Sequence, residues 1–133
     1  MPYLPAPVTG IAPAEPHDAA AYFSSLLRLE TDCWDVHEAM QREVPGFVLL
    51  DVRSPGTYAA GHVPGAINLP HGRIVGRTID ELPATNLFVV YCAGPHCNGA
   101  DRAALKLAQL DRPVKKMIGG ITGWLDEGFD LVR

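Results

Sequence analysis

The stretch FVVYCAGPHCNGADRAALKLAQL, residues 88–110, decides how this chain folds. It opens on Phe88–Tyr91, an apolar run of strand length. A run without polar alternation belongs in a sheet that is covered on both faces. A cysteine follows at once, then a short loop with Gly94 and Pro95, then a helix entered through Gly99. From Gly99 to Leu110, residues Ala100, Ala103, Ala104, Leu107 and Leu110 share one stripe, the mark of a helix with one buried face. Strand, tight loop and amphipathic helix in this order form half of a parallel crossover unit.

The same alternation runs through most of the chain. FVLLDV, residues 47–52, is a second fully apolar run and reads as another buried strand. Ser54 and Pro55 then supply an N-cap and a first-turn proline for a helix. GHVPGAINLP holds a turn and a short strand at Ala66–Leu69, and TIDELP one or two helical turns. VKKMI reads as a last strand, Gly119–Gly120 as a turn, and Thr122–Glu127 as a final helix. Upstream, HDAAAYFSSLLRLE suits a helix with Asp18 as its cap, Leu29–Thr31 a short strand, and DVHEAMQREV a second helix. Residues 1–16, rich in proline and without period, read as an arm, and 17–133 as one domain. The alternation predicts an α/β fold: an open, mostly parallel sheet with helices on both faces.

Composition narrows the function. The 133 residues suit a single core. A net charge of -4, with no cluster of Lys and Arg, argues against nucleic acid as a partner. No apolar run approaches the length of a membrane span. Three cysteines cannot make a disulfide framework, and no signal-like start precedes Arg28, so the expected compartment is a reducing cytoplasm.

Cys92 stands beyond the carboxyl end of a parallel strand, where ligands of open α/β sheets bind. A loop curling into a helix start turns backbone N–H groups inward, and these stabilise a thiolate or the terminal sulfur of a persulfide. The expected cradle is Ala93, Gly94, Pro95, His96, Cys97 and Asn98 around Cys92, with His96 as an electrostatic helper. Cys97 is either a resolving thiol for an oxidised or persulfidated Cys92 or a small packing residue. A C-x4-C spacing with no second ligand pair does not indicate a zinc site, and no metal or cofactor is expected. A phosphatase loop, C-x5-R, requires arginine six residues after Cys92, where Asn98 stands.

LLDVRSPGTYAAGHVPGAINLP, VVYC with its loop, and MIGGITGW together resemble the rhodanese homology family, from Leu49 to Trp124 and in that family's order. The resemblance implies a three-layer sandwich around a five-stranded parallel sheet, with a catalytic cysteine after the fourth strand; by position this is Cys92. It implies sulfur transfer in two steps. A small-molecule donor such as thiosulfate gives one sulfur to the cysteine, and a thiol, a protein acceptor or cyanide removes it. Asp51, Arg53 and His62 match family positions that support structure. The loop CAGPHCN departs from the pattern C-x-x-G-x-R-S: it carries neither Arg nor Lys and holds a second cysteine. That departure leaves a second expectation beside the enzyme, a rhodanese scaffold without turnover that senses redox state through Cys92 and Cys97.

Overall fold

The computed structural model describes residues 6–133. Five parallel strands, β1 (Glu30–Thr31), β2 (Val48–Asp51), β3 (Ile67–Asn68), β4 (Phe88–Tyr91) and β5 (Val114–Met117), form one sheet in the order β1-β5-β4-β2-β3. The two apolar runs of the sequence are its middle. β4 lies between β2 and β5, with Asp51 beside Tyr91 and Lys116 beside Val90.

The helices are α1 (Pro16–Leu29), α2 (Cys33–Met40), α3 (Pro55–Ala60), α4 (Gly76–Asp80), α5 (Gly99–Gln109) and α6 (Gly120–Asp126). Because strand side chains alternate, β4 feeds two cores. Phe88, Val90 and Cys92 join Leu50, Val52 and Ile79 under α4 and α5. Val89 and Tyr91 join Leu49, Val36 and Trp124 under α2 and α6. Three layers result.

Several boundaries differ from the sequence reading. α1 is entered through Glu15 with Pro16 at its start, and Asp18 lies in the first turn, where its charge meets the positive helix end. α2 begins earlier than expected because Asp32 caps it, accepting from Asp35 N–H at 2.8 Å. It also ends at Met40 rather than running to Val44. The helical turns expected over TIDELP come earlier, at Gly76–Asp80, preceded by a 3-10 turn at His71–Arg73. α1 buries no side chain, so Phe23, Leu27 and Leu29 stay exposed despite their helical spacing. Of the proline-rich arm, residues 6–15 are exposed, and 1–5 lie outside the described residues.

Candidate active site

Cys92 follows the last residue of the central strand, with its side chain on the α5 face and only 6% exposed. The loop behind it is held from two directions. Inside the loop, Cys97 N–H donates to Gly94 O at 3.1 Å and closes a tight turn. From outside, the first amides of α6 grip its carbonyls: Ile121 N–H donates to Cys92 O at 3.2 Å and Thr122 N–H to Ala93 O at 3.0 Å. The Thr122 hydroxyl adds a second bond to Ala93 O at 3.2 Å. α6 can come this close because residue 120 is glycine. Its φ is +56°, and a Cβ there would overlap the Cys92 carbonyl.

The sulfurs meet at the start of α5. A Cβ on Gly99 would lie 2.8 Å from Cys92 Sγ, 3.5 Å from Cys97 Sγ and 3.4 Å from the His71 ring. Both sulfurs and an imidazole therefore converge on the space that this glycine leaves open. The two thiols act on each other's ionisation, and Gly99 N–H donates to Cys97 Sγ at 3.4 Å.

Burial pushes the Cys92 thiol up to about 11, and its hydrogen bond to Cys97 adds to the rise. The amides of Ala93 and Gly99 pull the other way without overcoming it. Cys97 is held below the ordinary thiol value, first by the bond from Cys92 and then by the Gly99 amide. The pair is thus polarised, with Cys92 raised by burial and Cys97 held down beside the Gly99 amide.

This corrects the expected cradle in three respects. The loop does not lower Cys92, because desolvation outweighs the two amides that reach it. Those amides belong to Ala93 and Gly99; the Cys97 amide is spent on Gly94 O. Pro95, His96 and Asn98 are exposed, and Asn98 Oδ1 accepts from Arg102 Nε at 3.1 Å instead of facing the sulfur.

Asp51 and Arg53 form a separate brace at the same sheet edge, tied to the segment that carries His62 by Arg53 Nη2 donating to Gly61 O at 2.6 Å. Asp51, fully buried, accepts from Arg53 through both oxygens, with Nη2 to Oδ2 at 2.6 Å. Tyr91 donates its hydroxyl to Asp51 Oδ2 at 2.7 Å and accepts from Val63 N–H. Burial, with Asp51 adding, raises the Tyr91 phenol far above its usual range, so it remains a donor. His62 stacks on Tyr58 with ring centroids 3.7 Å apart, and its backbone pairs with Val132.

A cleft of about 510 Å³ opens at this edge, and all three cysteines line it. Cys33, which the sequence reading left aside, donates weakly to Ile118 O and Gly120 O at 3.5 and 3.6 Å. His71 was also missed, although it follows β3 at the same carboxyl edge, and that position was a readable signal. Lys116 and Asp101 pair at 2.9 Å on the cleft wall. Among the described residues no group of three or more His, Cys, Asp or Glu is disposed to hold a metal ion, and no helix is long and apolar enough to cross a membrane.

A family model for the rhodanese-like domain matches residues 35–127. The HTH-type transcriptional regulator Rv0324 of Mycobacterium tuberculosis is 33% identical over 115 residues, which cover 86% of this chain and 50% of that protein. The thiosulfate sulfurtransferase GlpE of Pseudoalteromonas translucida is 31% identical over 77 residues, 58% of this chain and 71% of that protein. Among solved structures, the BH2092 protein of Bacillus halodurans aligns with a TM-score of 0.84 at 36% identity, covering 89% of this chain and 86% of that one. The chain thus spans about half the length of the regulator it resembles.

Proposed function

The chain belongs to the rhodanese-like domain family, and on that footing we propose that it is a sulfurtransferase in which Cys92 carries sulfane sulfur as a persulfide. The observation that supports this most is the convergence of Cys92 Sγ, Cys97 Sγ and the Ala93 and Gly99 amides at a strand end that opens on a cleft. Cys97 takes the Cys92 proton as a donor approaches, so the attacking thiolate forms only when substrate is present. The Cys92 thiolate attacks the outer sulfur of the donor, the donor's remaining fragment leaves with the bonding pair, and the amides hold the persulfide anion. An acceptor thiolate then takes that sulfur and returns Cys92.

Incubation with thiosulfate, a polysulfide or another sulfane donor, followed by mass spectrometry, tests the proposal. One added sulfur on Cys92, absent in Cys92→Ala, is expected. No added sulfur with any donor sinks it.

The approach of both sulfurs to the gap beside Gly99 favours a second reading, and the relative named as a transcriptional regulator agrees with it. Cys97 thiolate attacks the inner sulfur of the Cys92 persulfide, the Cys92–Cys97 disulfide forms, and hydrosulfide leaves. The domain then reports sulfane sulfur by a change of state rather than by turnover. A two-electron transition that requires both cysteines, without transfer to an acceptor, distinguishes it.

A further inference from the structure

The charge lining the cleft selects among sulfur compounds. Asp32, Asp101 and Glu127 stand along its wall, and the cation among the described lining residues, Lys116, already pairs with Asp101 at 2.9 Å. The loop carries neither Lys nor Arg, and Arg102 turns outward onto Asn98. At the α5 N-terminus the Gly99 amide is already engaged, donating to Cys97 Sγ. The carboxylates are close enough to act on the sulfurs. Burial pushes Cys33 up to about 11, with Asp32 and Glu127 adding to the rise, and Asp101 opposes ionisation of Cys97.

We infer that the cleft admits its sulfur partner as a cationic thiol compound, a thiol or persulfide next to a positive charge, and disfavours anionic ones such as thiosulfate. The inference rests on the reading of Cys92 as the sulfur carrier. An aminothiol and a cysteine within a basic peptide share this chemistry. Trp34, 59% exposed at the rim, gives a peptide an apolar surface that a small thiol does not need.

The test uses two kinds of probe. First, the rates at which a cationic and an anionic methanethiosulfonate modify Cys92 and Cys97 are compared at low ionic strength, each normalised to 2-mercaptoethanol. The cationic reagent should lead about tenfold, and the lead should fall about threefold in Glu127→Gln and in Asp32→Asn, the scale of one exposed ion pair each. It should largely vanish in about 0.5 M salt. A ratio near one at low salt, or a lead for the anionic reagent, overturns the inference. Second, the Cys92 persulfide is discharged to cysteamine, to 3-mercaptopropionate and to a cysteine peptide flanked by lysines. Faster discharge to both cationic acceptors supports the inference, and a clear lead for the peptide identifies a basic protein segment as the source. Equal discharge to all three overturns the inference and leaves sulfur transfer standing. If no persulfide forms while the reagent ratio holds, sulfur transfer fails and the charge selection stands.

Discussion

Gly99→Ala separates the stability of the fold from the chemistry of the sulfurs. Residue 99 opens α5 without a positive φ, so alanine fits the backbone and should favour the helix by up to about 1 kcal/mol. The added methyl, however, falls 2.8 Å from Cys92 Sγ, where ordinary contact begins at 3.4 Å. The backbone at Cys92 cannot yield, because α6 holds its carbonyl and β4 lies directly before it. The Cys92 side chain must therefore turn away or α5 must lift, a strain of about 1–3 kcal/mol for an overpacked core. The helix gain offsets only part of this strain. The net loss should be about 1 kcal/mol, or roughly 4 °C in Tm for a chain of this size.

The chemistry has no such offset. A sulfur displaced from its amides and from Cys97 loses its alignment, and a misplacement of about 1 Å costs on the order of a hundredfold in rate. Calorimetry together with the rate of persulfide formation, followed by mass spectrometry, reads both quantities. A Gly99→Ala protein that accepts sulfur at the wild-type rate would refute the claim that this gap organises the sulfur pair. So would one whose rate loss merely tracks a large loss of stability.

Three further perturbations test other parts of the argument. In Cys97→Ala the pH midpoint for alkylation of Cys92 should fall below about 11, because both effects of Cys97 raise it, and in Cys92→Ala the Cys97 midpoint should rise. Rates of iodoacetamide labelling against pH decide this, and a Cys92 midpoint that stays or climbs counts against the shared proton. Asp51→Asn leaves the Arg53 guanidinium, with its side chain only 9% exposed, without its anion and should cost about 3–5 kcal/mol in urea unfolding, a large part of a typical domain's stability. A loss under about 1 kcal/mol would mean the brace is dispensable. Gly120→Ala forces a side chain into the left-handed region at φ +56° and onto the Cys92 carbonyl, so it should lose about 1–3 kcal/mol and slow persulfide formation as well. Wild-type behaviour in both assays would show that α6 does not position the loop.

The sheet was legible because its two central strands carry no polar residue until their last positions. FVLLDV and NLFVVY can only be covered on both faces, and α5 shows its buried stripe directly. α1 misled in part: Phe23, Leu27 and Leu29 have helical spacing, yet each stays more than half exposed. The position of Cys92 was readable from its place after a strand. Its protonation was not. Amide direction in a loop depends on what holds the loop, and here Gly120, Ile121 and Thr122 do so from more than twenty residues downstream. Periodicity carries no trace of that contact, nor of the burial under α5 that keeps Cys92 protonated.

The end of β4 divides two tasks between adjacent residues. Alternation sends Tyr91 to the α2 and α6 side, where its hydroxyl joins Asp51 and Arg53 in a brace, and sends Cys92 to the α5 side, where the sulfurs meet. The first turn of α6 grips carbonyls rather than sulfur, so its amides fix the loop and do not stabilise the anion. Anion stabilisation is left to Ala93 and Gly99, which do not outweigh the desolvation of Cys92. A loop with a basic residue could make up the difference by charge, and this loop has none. Cys97 does not lower Cys92 either; on the proposed mechanism it receives the Cys92 proton as a donor binds, which adds no further cation to a cleft whose charged lining is mainly carboxylate. On this argument the second cysteine and the acidic lining belong together. Restoring a cation, as in Asn98→Arg, should lower the dependence of Cys92 reactivity on Cys97 and weaken the preference for cationic thiols in the same step.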